Sequence, residues 1–98
     1  MNNNFPSICI PRILGEIKYY DVRNVFEKLF GKNNIDRVDI IKKENERGEY
    51  FNKVFIHLKQ WPNNNSRLET IRKKLLDGGN IKIVYNDHLF WKCFALKY

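Results

Sequence analysis

Between Phe51 and Lys59 the side chains alternate without a break. Phe51, Lys53, Phe55, His57 and Lys59 share one face of an extended segment, and Val54, Ile56 and Leu58 share the other. The first face mixes rings with cations. Every nucleobase has a π surface that stacks on an aromatic ring, and lysines between the rings track phosphates, so this row suits a single nucleic-acid strand. Arg12, Lys82 and Lys92 sit in other apolar, extended runs and can add phosphate contacts. The candidate nucleic-acid-binding residues are therefore Arg12, Phe51, Lys53, Phe55, His57, Lys82 and Lys92, with Phe55 as the stacking ring.

The remaining reactive residues form no comparable pattern. Cys9, Cys93, His57 and His88 have neither Cys-x-x-Cys nor His-x-x-x-His spacing, so no metal site is expected. Glycine-rich phosphate loop, nucleophile elbow and paired carboxylates are all missing, and the chain reads as a non-enzyme without a cofactor. Cys9 and Cys93 fall on neighbouring strands if the last strand pairs with the first. A cross-strand bridge under oxidation is then conceivable, although buried thiols more often serve as small inert hydrophobes. Arg67, Arg72, Lys73 and Lys74 crowd one helix and read as its solvated face.

The elements that must position the row follow from periodicity. Ser7–Leu14 is a short apolar run of strand length, with Pro11 marking its end or a bulge. Val22, Val25, Phe26, Leu29 and Phe30 form one face of a helix over Asp21–Phe30, with Asp21 as N-cap and Gly31 just past the end. Ile35–Lys43 and Phe51–Lys59 are strands joined by a turn at Glu44–Glu49. Residues 61–65 make a loop. Ser66 and Glu69 have the spacing of a capping box for a second helix, whose apolar face is Leu68, Ile71, Leu75 and Leu76 and which Gly78-Gly79 stops. Ile81–Tyr85 and Leu89–Lys97 then form a hairpin turning at Asn86-Asp87-His88.

Composition limits the class. The 98 residues are 43 % apolar and 14 % aromatic, enough for one folded core and too much for a disordered chain. Net charge is +7. Residues 1–49 hold nine basic and eight acidic side chains, whereas residues 50–98 hold nine and three, so one surface built by the second half is the electropositive one. No apolar run approaches the ~18 residues of a membrane span. Met1-Asn2-Asn3-Asn4 has neither the basic nor the apolar region of a secretion signal. With only two cysteines, an intracellular, cytoplasmic and reducing setting is expected.

A β-α-β-β-α-β order closes as a split-βαβ, ferredoxin-like two-layer α+β sandwich, with a four-stranded antiparallel sheet ordered 4-1-3-2, both helices on one face and an extra hairpin before the last strand. One domain over 1–98 is expected, with 1–6 as a flexible N-terminus. By element order the chain resembles the RNA recognition motif family. The octapeptide of that family's third strand corresponds to Phe51-Asn52-Lys53-Val54-Phe55-Ile56-His57-Leu58, which keeps the second aromatic as Phe55 and the next aliphatic as Ile56. Lys53 stands where the first stacking ring would be. The hexapeptide of the first strand corresponds to Ile8-Cys9-Ile10-Pro11-Arg12-Ile13, with Cys9 at its ring position. The pieces Ile8–Arg12, Val54–His57, Ile81–Tyr85 and Phe90–Lys92 are also similar to a family of small proteins of large DNA viruses of eukaryotes, which implies host cytoplasm or virion as the setting.

The resemblance to the recognition motif implies single-stranded RNA, favoured over duplex DNA, bound weakly selectively on the sheet face that the helices leave open. An aromatic among Phe90, Trp91, Phe94 and Tyr98 can replace the ring missing at Cys9. The alternative is an interaction or virion structural module whose open face is a homodimer or partner interface. A membrane partner is not expected, because no helix sets a basic face against large exposed apolar residues.

Overall fold

The computed structural model describes residues 5–62 and 65–96. Its elements are β1 (Ile8–Leu14), α1 (Tyr19–Phe30), β2 (Ile35–Glu44), β3 (Tyr50–Leu58), α2 (Ser66–Leu76), β4 (Asn80–Asn86) and β5 (Leu89–Ala95). The fold is α+β, with two helices and an open five-stranded antiparallel sheet ordered β2-β3-β1-β5-β4. The expected sheet of four strands thus becomes one of five. Both arms of the C-terminal hairpin join it, and the second arm lies beside β1. No helix among the described residues is long and apolar enough to cross a membrane.

Alternation decides which face each strand buries. Ile8 and Ile10 of β1, Val54, Ile56 and Leu58 of β3, Ile81 and Ile83 of β4, and Trp91 and Cys93 of β5 point to one side. Val22, Phe26 and Phe30 of α1 and Leu68 and Leu75 of α2 close over them, so both helices share one core against one face. A line of rings runs through it. Phe26 stacks between Trp91 and Phe30 at centroid distances of 6.4 and 6.0 Å, and Phe30 meets Trp61 edge-on at 4.8 Å. Phe5 reaches Trp61 at 6.5 Å and Pro6 is buried, which ties down the chain entering β1. The first four residues of the expected flexible N-terminus lie outside the described residues.

Both helices start at positions other than those expected from the sequence. α1 starts two residues before Asp21, which sits at the third helical position and accepts the Lys18 amide at 3.4 Å. In α2 the cap is Asn65, whose Oδ1 accepts the Leu68 amide at 3.1 Å, and Ser66 is already helical. Glu69, freed from a capping role, pairs with Arg72 instead. Gly31 ends α1 as expected. Its φ of +100° is a conformation that a Cβ makes costly, and its N–H donates to the Glu27 carbonyl at 2.8 Å.

Two irregularities shape the open face. The β1–β3 register shifts between Ile10 and Ile13, at Pro11, which has no N–H to donate. The β2–β3 turn is organised by Asn45, whose Oδ1 accepts the amides of Arg47 and Glu49, both at 2.9 Å.

Candidate nucleic-acid interface

The face opposite the helices carries the residues that alternate with the core. One row crosses all five strands through consecutive register partners: Asp39 on β2, Phe55 on β3, Cys9 on β1, Phe94 on β5 and Asn80 on β4. Phe55 and Phe94 therefore flank Cys9 from either side. Strands lie ~4.8 Å apart, so the two rings stand on strands about 10 Å apart, with only a thiol between them. Phe94 is the ring whose position the sequence left open, since only the register of β5 against β1 reveals it.

Among the described residues, several surface depressions have volumes of about 330–390 Å³, too alike for size to single one out. Chemistry separates them. The depression of about 390 Å³ contains Cys9, Phe55 and Phe94 together with Lys53, and its rim is the backbone of Gly78 and Gly79 after α2. It joins two rings, a cation and glycine backbone on the open face.

Other predicted residues extend along or beside this depression. Phe51 lies four residues from Phe55 on the same face of β3, and the Arg12 guanidinium sits 5.0 Å from its ring centroid, a cation–π contact. Lys82 and Lys92 are direct cross-strand partners on the open side of the β4–β5 hairpin, and Lys82 rests 4.9 Å from the Phe90 ring centroid. Like charges placed opposite each other repel, and an anion between them relieves the repulsion. Arg12, Phe51, Lys53, Phe55, Lys82 and Lys92 are thus gathered on one side of the sheet, with Arg12 and Phe51 toward the β2–β3 turn and Lys82 and Lys92 on the hairpin.

His57 is on the same face but is engaged. Its Nδ1 is 3.1 Å from the Ser7 hydroxyl and its Nε2 is 3.2 Å from Oδ2 of Asp39, which also accepts the Arg37 Nε–H at 3.1 Å. The sequence did not reveal this line of Ser7, His57, Asp39 and Arg37, because its members come from β2, β3 and the residue just before β1, and the register decides that they meet. Arg37 hydrogen-bonds Asp39 and, with His57, holds its carboxyl below the usual aspartate range. Ser, His and Asp in hydrogen-bonded succession is the order used by hydrolytic triads. Here the carboxylate is shared with a guanidinium, which divides its hold on the imidazole.

The cysteines lie on opposite sides of the sheet, since Cys9 pairs with Phe94 and Cys93 is its neighbour on the core face. Both are free. Burial pushes the Cys93 thiol up to about 12, and burial also raises Cys9, partly offset by the nearby Lys53 cation. Among the described residues no three His, Cys, Asp or Glu side chains converge as metal ligands would. No protein-family model matches the chain, and neither a curated protein nor a solved structure matches it.

Proposed function

We propose that this protein is a non-enzymatic domain that binds single-stranded nucleic acid, RNA in preference to duplex DNA, across its open sheet face. The observation that carries the reading is the placement of Phe55 and Phe94 on the two register partners of Cys9, beside Lys53. Two bases splayed from one strand stack on the two rings, and Lys53, Lys82, Lys92 and Arg12 hold the flanking phosphates. The line from Ser7 to Asp39 acts as a clamp that fixes the start of β1, and with it Cys9, against β3. Leaving β4 aside, the order β2-β3-β1-β5 corresponds to the 4-1-3-2 arrangement of a ferredoxin-like sheet, with β4 as an added edge; this supports a recognition-motif-like reading.

With two rings and few groups able to read base edges, affinity is mainly electrostatic and weakly selective, falling steeply with salt. The test is fluorescence anisotropy of labelled single-stranded RNA beside duplex DNA, at low and physiological salt. Phe55→Ala and Phe94→Ala each weaken RNA binding roughly five- to 150-fold, the equivalent of about 1–3 kcal/mol per stacked base. Losses no larger than that of an exposed control such as Tyr19→Ala, or equal binding of duplex DNA, defeat the reading.

A second reading rests on Val84 and Phe90, which are 66 % and 48 % exposed and are register partners on the open side of the hairpin. Apolar surface of that kind also serves a homodimer or a protein partner. A stable dimer mass in light scattering that disappears with Phe90→Glu favours it.

A further inference from the structure

Among the described residues β4 pairs only with β5, so alternate residues of Asn80–Asn86 turn their backbone N–H and C=O groups away from the sheet. A groove of about 330 Å³ follows this edge, between β4, α1 and the first turn of α2. Four consecutive residues, Lys82–Tyr85, line it. Successive side chains of a strand point to opposite faces, so what four in a row share with one groove is the strand's edge. The edge also keeps its capacity to pair. Ile81, Ile83 and Val84 have high β-propensity, no proline interrupts them, and Lys82 alone adds a charge.

The groove has a definite chemistry. Val25 and Leu29 of α1 and Ile83 of β4 provide apolar surface, and Lys28, Arg67 and Lys82 provide three cations with no acid among the lining residues. Neither the Lys28 nor the Arg67 side chain has an ion-pair or hydrogen-bond partner among the described residues. We propose that this edge takes up an extended acidic segment of a partner protein as an additional strand. Backbone hydrogen bonds to β4 give the affinity; aliphatic side chains on Val25, Leu29 and Ile83 and carboxylates at the three cations give the specificity. A second copy of this chain fits badly, because pairing two β4 edges sets the same cations against each other. A nucleic-acid strand meets the cations, but its sugar–phosphate backbone cannot match alternating amide donors and acceptors. The groove shares Lys82 and Val84 with the open side of the hairpin, whereas Val25, Lys28, Leu29 and Arg67 belong to the helix layer alone, so Lys28 and Arg67 are the cations that separate this proposal from the open face.

The test uses a labelled peptide alternating Asp and Val, a matched peptide alternating Lys and Val, and an Asp/Val peptide of the same composition arranged in two blocks. The alternating acidic peptide is expected to bind about tenfold or more tighter than either control. Lys28→Glu/Arg67→Glu, two exposed changes that break no ion pair among the described residues, is expected to reverse the preference between acidic and basic peptides. Amide exchange is expected to slow at alternate residues of β4 only when the acidic peptide is present. Phe55→Ala/Phe94→Ala is expected to bind the peptide like the parent, which separates this result from the fate of the open face. Equal affinity for the peptides, unchanged β4 exchange, or loss of peptide binding on the open-face variant overturns the proposal. So does a dimer whose β4 amides are protected without peptide, which assigns the edge to a second copy, or loss of oligouridylate binding as the main effect of Lys28→Glu/Arg67→Glu.

Discussion

Oδ2 of Asp39 lies 3.2 Å from Nε2 of His57, which sits on the neighbouring strand two residues beyond Asp39's register partner Phe55, while Arg37 donates to the same oxygen. The carboxyl is therefore held below its ordinary value near 3.8. A group whose folded pKa is depressed stabilises the protein above its unfolded pKa and loses that contribution as pH falls through the folded value. Asp39→Asn is thus expected to lower the urea midpoint at pH 6, with a penalty of about 0.2–1 kcal/mol given the exposed position of the pair. Parent and variant should converge as the pH falls below the aspartate range. A penalty that stays constant down to pH 2 refutes the assignment.

The two thiols should differ in reactivity. Cys9 borders the open depression beside Lys53, whereas Cys93 is fully buried in the core with its thiol pushed up to about 12. Thiolate is the reactive form. Iodoacetamide at pH 8 is expected to label Cys9 slowly and Cys93 only on unfolding, as read by peptide mass spectrometry. Single-stranded RNA should protect Cys9 further if bases occupy the rings on either side. Equal labelling of both cysteines in the folded protein contradicts the placement.

The start of α2 separates two neighbouring polar residues by their effect. Asn65 accepts the Leu68 amide, whereas Ser66 is inside the helix. Asn65→Ala is expected to cost about 1 kcal/mol in chemical denaturation, and Ser66→Ala close to nothing. The reverse order would return the cap to Ser66.

Phe26 is completely buried and stacks on rings of both α1 and β5. Phe26→Ala removes the middle of that line and opens a cavity that neighbouring stiff rings cannot fill, at a cost of about 3–5 kcal/mol. Phe26→Leu should recover most of the loss. A cost under 1 kcal/mol for the alanine variant shows that the line of rings is not central to the core.

Local chemistry was enough for much of the fold. The unbroken alternation of Phe51–Lys59 specified a strand with one buried and one displayed face, because a period of two leaves no other way to bury Val54, Ile56 and Leu58 together. The spacing of Val22, Phe26 and Phe30 specified α1, and Pro11 marked the interruption of β1. Helix starts were less legible. Asn65 and Ser66 are both good caps, and backbone conformation at the junction chooses between them.

The site divides along the same line. Residue types and spacing along the chain determined that Phe51, Lys53, Phe55 and His57 share a face, since neighbours on one strand are related by the backbone alone. Everything across strands was decided by tertiary structure. Whether Phe94 or another aromatic stands beside Cys9, whether the cysteines meet, and whether Ser7, His57 and Asp39 form one line all depend on strand order and register. A shift of one residue moves every side chain of a strand to the opposite face, and that choice is made by the core as a whole, not by any single segment.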